Sequence, residues 1–379
     1  MFREIKYFKG LNSLRFFAAY LVVIHHAEQI RMKYGLFHLK EYSLFNNGGI
    51  AVTFFFVLSG FLISYLLLKE RNTTNTIAVK NFYYRRILRI WPLYFFLIVI
   101  GTLLLPYILD LLDYSYIMPY AFNEVIYYYI FFAPFMVNIF YGHHLLEPLW
   151  SIGVEELFYI LWAPFFKFFK KYILSIIIVI ILFRIIIMCI SYLGLFDPII
   201  DRLVRMLRFE AMAIGGLAAY LVFNNKNLLS SFLFSRFIQS LLITFILLRL
   251  FAFQFLVDNN IIFNVLFNTP VLSNLLLTTV FGWLIINISI NPKCIISLDA
   301  KLLNFLGSIS YGIYMYHMLI IFGIIVLFKG YLSDLNHFYS TIFLYLALTI
   351  IVILVSFLSK KFFEDYFLRF KNRYRIINL

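Results

Sequence analysis

"LRFFAAYLVVIHHAEQ", residues 14–29, has the apolar body of a membrane-crossing helix, yet it carries Arg15 near its start and His25 and His26 near its end. Ionisable groups are costly in hydrocarbon and normally face a bundle interior, a water-filled cavity or a reaction site. The stretch therefore predicts a helix buried in a membrane bundle that carries chemistry. The whole chain agrees on the fold class. It is 63% hydrophobic and 13% charged, with a mean hydropathy of +0.91, which excludes an ordinary soluble domain. Apolar stretches of about 20 residues, each long enough to span a bilayer, recur from end to end. The expected fold is an all-α, polytopic transmembrane bundle of about ten spans, a single integral membrane domain over residues 1–379 without a soluble extracellular domain. The spans are expected near 11–30, 47–68, 88–109, 150–168, 172–193, 208–223, 237–257, 271–290, 305–328 and 340–359.

A net charge of +14 invites a nucleic-acid reading, but the basic residues are placed otherwise. With the N-terminus inside, the cytoplasmic segments hold 22 Lys and Arg and the outer loops hold 7. This bias is the positive-inside rule, and it predicts both termini in the cytoplasm with no nucleic-acid partner. "NEVIYYYIFFAPFMVNIF" (123–140) is apolar enough to cross as well. Counting it would put Lys167, Lys170 and Lys171 outside, so it is expected to be re-entrant or interfacial, broken at Pro134. Cys189 and Cys294 form neither a disulfide framework nor a metal set, and no metal is expected. The N-terminus mimics a signal peptide but lacks a cleavage site, which predicts an uncleaved first span.

Four segments carry candidate chemistry. Arg15 and His26 lie eleven residues apart, about three helical turns, so they share a face roughly 16 Å apart. His25 points about 100° away and is the weaker candidate. "NFYYRRILRIWPLYFF" (81–96) clusters Arg85, Arg86 and Arg89. Such a trio sets topology in many proteins, but guanidinium forks also match phosphate bidentately. "EPLWSIGVEELFYILWAP" (147–164) sets Glu155 and Glu156 at membrane depth, after Trp150 and Ser151. A carboxylate there either pairs with Arg184 or Arg249, or joins a histidine in acid–base chemistry. "GSISYGIYMYHMLI" (307–320) sets Ser310, Tyr314 and His317 on successive turns of one face, where such groups also serve as interhelical glue. "RFEAMAIGG" (208–216) adds Glu210, more simply read as structural.

Together these segments resemble the membrane acyltransferase-3 family of bacterial O-acyltransferases. Arg15 and His26 match its Arg-x10-His pattern, and "FFFVLSGFLIS" (54–64) its second-span signature. "YRRILRIWPLY" (84–94), "LWSIGVEELFYILWAP" (149–164), "SYGIYMYH" (310–317) and "FFEDYFLRF" (362–370) follow in the family's order over nearly the whole chain. Asn12 and Thr53 stand where members often carry Asp. The resemblance implies transfer of an acyl, chiefly acetyl, group from cytoplasmic acyl-CoA to a hydroxyl of a cell-envelope glycan or lipid-linked sugar. It also implies a location in the bacterial inner (plasma) membrane. Arg15, Arg85, Arg86 and Arg89 would hold the phosphates of acetyl-CoA. His26 would take the hydroxyl proton or briefly accept the acyl group, oriented by Glu155 or Glu156. Ser310, Tyr314, His317, Trp150 and Ser151 are further candidates. The competing class is a glycan or lipid-linked-intermediate flippase, which needs no cytoplasmic arginine cluster paired with an outer His/Glu site.

Overall fold

The computed structural model describes residues 5, 7–114, 118–225 and 227–374, and its regular elements are helices. The chain begins with α1 (Leu11–Lys33), α2 (Gly48–Thr74) and α3 (Val79–Val99), which runs on through a π-turn to Leu111. Two short helices, α4 (Phe122–Ile130) and α5 (Pro134–Tyr141), lead into α6 (Leu149–Phe168) and α7 (Ile173–Tyr192). A one-sided piece, α8 (Pro198–Met206), precedes α9 (Phe209–Asn224). Then α10 (Arg236–Phe251) bends into α11 (Phe253–Asn259), followed by α12 (Ile261–Asn268) and α13 (Pro270–Ile290). The last helices are α14 (Lys301–Ser308), α15 (Ser310–Asp334) and α16 (His337–Ser359), the last extended to Phe370.

Among the described residues, eight helices are long and apolar enough to cross a membrane, and the α10–α11 pair, bent by 92°, would make a ninth. The expected 237–257 span is therefore not straight: it turns at Ala252, where the Arg249 guanidinium stacks 3.4 Å over the Phe253 ring. The remaining expected span is α1, whose 23 residues suffice in length but whose Arg15, His25, His26 and Glu28 make it too polar to pass on composition. Its position explains that polarity. Ala19, Val22, Val23 and Ala27 are fully buried, and the helix is enclosed by α2, α15 and α16. Glu28 is itself enclosed, accepting from Arg31 and from Tyr345 of α16. Protein rather than lipid surrounds the ionisable groups.

The 123–140 stretch is interrupted as expected. α4 and α5 have nine and eight residues, too short to cross a core of about 30 Å. At the break Phe132 takes a positive φ of 54°, and Gly153 of α6 lets the turn approach. A Cβ there would lie 2.6 Å from both the Phe132 carbonyl and Pro134 Cδ.

α2 and α9 are in backbone contact. A Cβ on Gly60 would sit 2.0 Å from the Met212 carbonyl oxygen, and one on Gly215 would sit 2.0 Å from that of Val57. Between apolar helices in lipid, such close approach is a main source of association. Gly215→Ala is therefore expected to separate the pair, at about 1–3 kcal/mol, and to lower the unfolding temperature in detergent. An unchanged melting curve would contradict this packing.

Candidate active site

A cavity of about 430 Å³ runs between α1, α2, α3, α6 and α15. Its lining on α2 extends from Val52 to Leu66, fourteen helical steps or roughly 21 Å. At the end where α1 begins it is bounded by Tyr7 and Lys371, so both ends of the described chain meet at one mouth. Tyr7 donates to Asn304 (2.9 Å). Partial burial, and then the nearby Asp299, push its hydroxyl pKa up, which keeps it a neutral donor.

Three guanidinium groups face this space: Arg15, Arg86 and Arg89. Arg15 donates to Asn12 (3.0 Å), a neutral partner, so its charge is not cancelled there. Arg86 lies against the rings of Phe82 and Tyr159, and its buried Nε has no hydrogen-bond partner among the described residues. With Lys371 the lining carries four cationic side chains against one carboxylate, Glu155. An orphaned guanidinium N–H in a net cationic cavity is the arrangement that an anionic ligand completes.

The other expected residues divide between this cavity and its surroundings. Arg85 is not brought into it: the side chain pairs with Glu70 (3.2 Å) and donates to the Tyr374 carbonyl (2.7 Å). Glu70 also accepts from the Ala78 backbone N–H, so Arg85 helps clamp the α2–α3 turn. Glu155 lines the cavity and accepts from Tyr159 (2.8 Å), one helical turn further on, whose hydroxyl also meets Ser59. Glu156 points elsewhere. It accepts from Trp91 of α3 (3.2 Å), and its second oxygen is buried without a hydrogen-bond partner among the described residues. Ser151 and Tyr314 close the far wall with a 2.7 Å hydroxyl–hydroxyl hydrogen bond, and the hydroxyl that accepts in it is free to donate to the Pro148 carbonyl, which lies within 3.2 Å of both. Ser310 lines the wall and donates to Gly307. Trp150 packs edge-on against Phe56, outside the lining.

His26 and His317 form a pair beyond that wall. His26 Nδ1 and His317 Nε2 are 2.9 Å apart, with ring centroids at 5.0 Å. His317 is fully buried, and its Nδ1 lies 2.6 Å from the Tyr314 carbonyl. A carbonyl only accepts, so His317 Nδ1 carries a proton; with both rings neutral, His317 Nε2 is the acceptor and His26 Nδ1–H the donor. The lone pair of His26 is then on Nε2. The partner of His26 is thus His317, not the expected Glu155 or Glu156, which are held by Tyr159 and Trp91. The carboxylates are on α6 and held by α3 and by their own helix, whereas the α1–α15 packing brings the two imidazoles together. Arg15 and His26 do not share the cavity either. Tyr314 links the two regions, its hydroxyl at the cavity wall and its ring 5.8 Å from that of His317. His25 is separate, with Nδ1 donating to the Phe45 carbonyl and its ring against Gly48.

Sequence reasoning passed over Ser59, Tyr159 and Tyr311. Tyr159 had a signal, since it lies four residues after Glu155 and so one turn along the same face. Tyr311 donates to the Ile90 carbonyl on α3, a contact with no sequence trace. Of the alternatives for the buried acids, Arg184 pairs with Glu210 (2.7 Å) and Arg249 donates to Asn47, leaving Glu155 and Glu156 to other partners.

The fold and this site define a helical membrane protein with a cation-lined interior cavity and a buried histidine pair. A family model, described as the acyltransferase domain of the acyltransferase-3 type, matches residues 8–360, and the chain belongs to that family. Over 172 residues it is 28% identical to the peptidoglycan O-acetyltransferase OatA of Listeria monocytogenes, covering 44% of this chain and 25% of that protein. Over 164 residues it is 29% identical to a Bacillus subtilis protein named "Putative peptidoglycan O-acetyltransferase YrhL", covering 42% and 24%. The matched stretch thus spans about a quarter of the length of these relatives. No solved structure matches the chain.

Proposed function

We propose that the protein is a membrane O-acyltransferase that moves an acetyl group from acetyl-CoA to a hydroxyl of a cell-envelope glycan. The observation that carries this reading is the cavity with three guanidinium groups, one with an orphaned N–H, ending at a wall that adjoins the His26–His317 pair. A volume of about 430 Å³ lies within the 300–1,000 Å³ of small-ligand sites. The donor brings phosphates at one end and a thioester at the other. Arg86, Arg89 and Arg15 bind the phosphates. His26 Nε2 removes the proton of the acceptor hydroxyl as its oxygen bonds to the acyl carbon and the carbon–sulfur bond breaks. His26 then returns that proton to the departing thiolate. His317 holds His26 in the tautomer that leaves Nε2 basic, and Glu155 offsets the cavity charge beside the arginines. The family membership and the names of the relatives support the acyl-transfer chemistry and the glycan acceptor. Purified protein in detergent is expected to hydrolyse or transfer from acetyl-CoA, and the cell-wall glycan of a deletion strain is expected to lose acetyl groups by mass spectrometry. Absence of both would remove this reading.

The same proposal places the cavity mouth, and with it Tyr7 and Lys371, in the cytoplasm of a bacterial inner membrane. The excess of basic residues near the segments assigned inside supports this orientation. Cysteines introduced at Lys170 and Asn225 are expected to resist a membrane-impermeant label in intact cells and to react after lysis. Labelling of Lys170→Cys in intact cells would overturn the orientation.

A further inference from the structure

A second cavity, about 390 Å³, opens at the other end of the bundle, around the first turns of α2, α9 and α13. Four arginines line it: Arg184, Arg205, Arg208 and Arg249. The acids nearby are already engaged. Glu210 accepts from Arg184 (2.7 Å) and from Asn274 (2.6 Å), and Asp201 pairs with Arg205 (2.8 Å). Arg208 and Arg249 have no carboxylate within ion-pair distance among the described residues. Arg208 donates to the Gly49 carbonyl and to Thr53, and Arg249 to Asn47, all neutral. The Arg249 Nε is buried and has no hydrogen-bond partner among the described residues.

This cavity does not stand alone. A narrow groove of about 120 Å³ shares Ile50, Arg249 and Leu277 with it and continues along Phe17, Leu21 and Phe281. Among the described residues, Arg249 is the one charged residue lining the groove, and the other lining side chains are apolar. The groove runs inward from the arginines, between α1, α2, α10 and α13, and Phe17 at its edge is 43% exposed. Planar forks without counter-charges at a helix-end level, joined to a hydrocarbon slot at membrane depth, match one kind of molecule. Guanidinium groups favour phosphate, and the slot favours an alkyl or isoprenoid chain.

We propose that this second cavity and its groove bind a phosphate-headed lipid, with Arg208 and Arg249 on the phosphate and the chain between α1 and α13. The claim is independent of acyl transfer, because it is read by binding alone. Purified protein in detergent is titrated with fluorescent phosphatidic acid, with phosphatidylcholine carrying the same chains, and with inorganic phosphate as competitor. Phosphatidic acid is expected to bind at least tenfold tighter than phosphatidylcholine, with inorganic phosphate competing only weakly. Arg208→Gln and Arg249→Gln are each expected to weaken phosphatidic acid at least tenfold. Ile50→Trp, which keeps both arginines and obstructs the shared wall, is expected to weaken the lipid while leaving phosphate competition unchanged. It also serves as the test if an arginine variant fails to fold. Equal binding of the two lipids, wild-type affinity in the variants that fold, or inorganic phosphate binding as tightly as the lipid would each overturn the proposal.

Discussion

His26→Ala is expected to lower acyl-transfer turnover about 10²–10⁴-fold, the range contributed by a positioned general base, while the protein still inserts and folds. The donor affinity should change little, because His26 lies outside the arginine cavity and contacts His317 instead. His317→Leu, which offers no acceptor, separates orientation from chemistry. It leaves His26 in place but removes the ring nitrogen that accepts from His26 Nδ1. A buried donor that loses its acceptor costs about 1–3 kcal/mol, so turnover should fall roughly five- to 150-fold with KM for the donor unchanged. His25→Ala should be milder, since that ring hydrogen-bonds to the Phe45 carbonyl and packs on Gly48. The measurement is single-turnover transfer with each purified variant. An active His26→Ala, or an inactive His25→Ala beside it, would remove His26 from the reaction.

Arg86→Gln is expected to raise KM for acetyl-CoA roughly tenfold to hundredfold with a smaller effect on turnover. The lost charge-assisted contact is worth about 1.5–3 kcal/mol. A phosphate held far from the reacting carbon is bound equally in the ground and transition states, so its loss appears in KM. Arg86→Lys should recover only part of the affinity, because an ammonium lacks the planar fork. Arg85→Gln serves as the contrast. Its guanidinium is tied to Glu70 and the Tyr374 carbonyl outside the cavity, so it should affect thermal stability more than KM. If Arg86 variants keep wild-type donor affinity and turnover, the phosphate-anchor role fails.

The amino-acid sequence by itself determined the class, the order of the helices and the residues with chemistry to offer. Runs of about 20 apolar residues declare membrane helices because lipid satisfies no backbone group, and Pro134 marked the break between α4 and α5. The helical repeat of 3.6 residues placed Arg15 and His26 on one face and Ser310, Tyr314 and His317 on another. Periodicity orders side chains around one axis, but it says nothing of which axis lies alongside. His26 and His317, 291 positions apart, meet only because α1 and α15 pack in parallel. That same packing overruled the expected histidine–carboxylate pair. Adjacent Glu155 and Glu156 diverge by about 100°, so one entered the cavity and the other faced Trp91. Neighbouring arginines were likewise sorted by what lay opposite: Arg85 found Glu70, whereas Arg86 came to lie against the Phe82 and Tyr159 rings at the edge of the cavity. In sequence Arg208 reads as a loop charge and Arg249 as a span residue; the tertiary structure gathered the two by bending α10 and laying α9 against α2 through Gly60 and Gly215. Interhelical register is set by the fit of small residues against backbone, a property of pairs of helices that no single segment encodes.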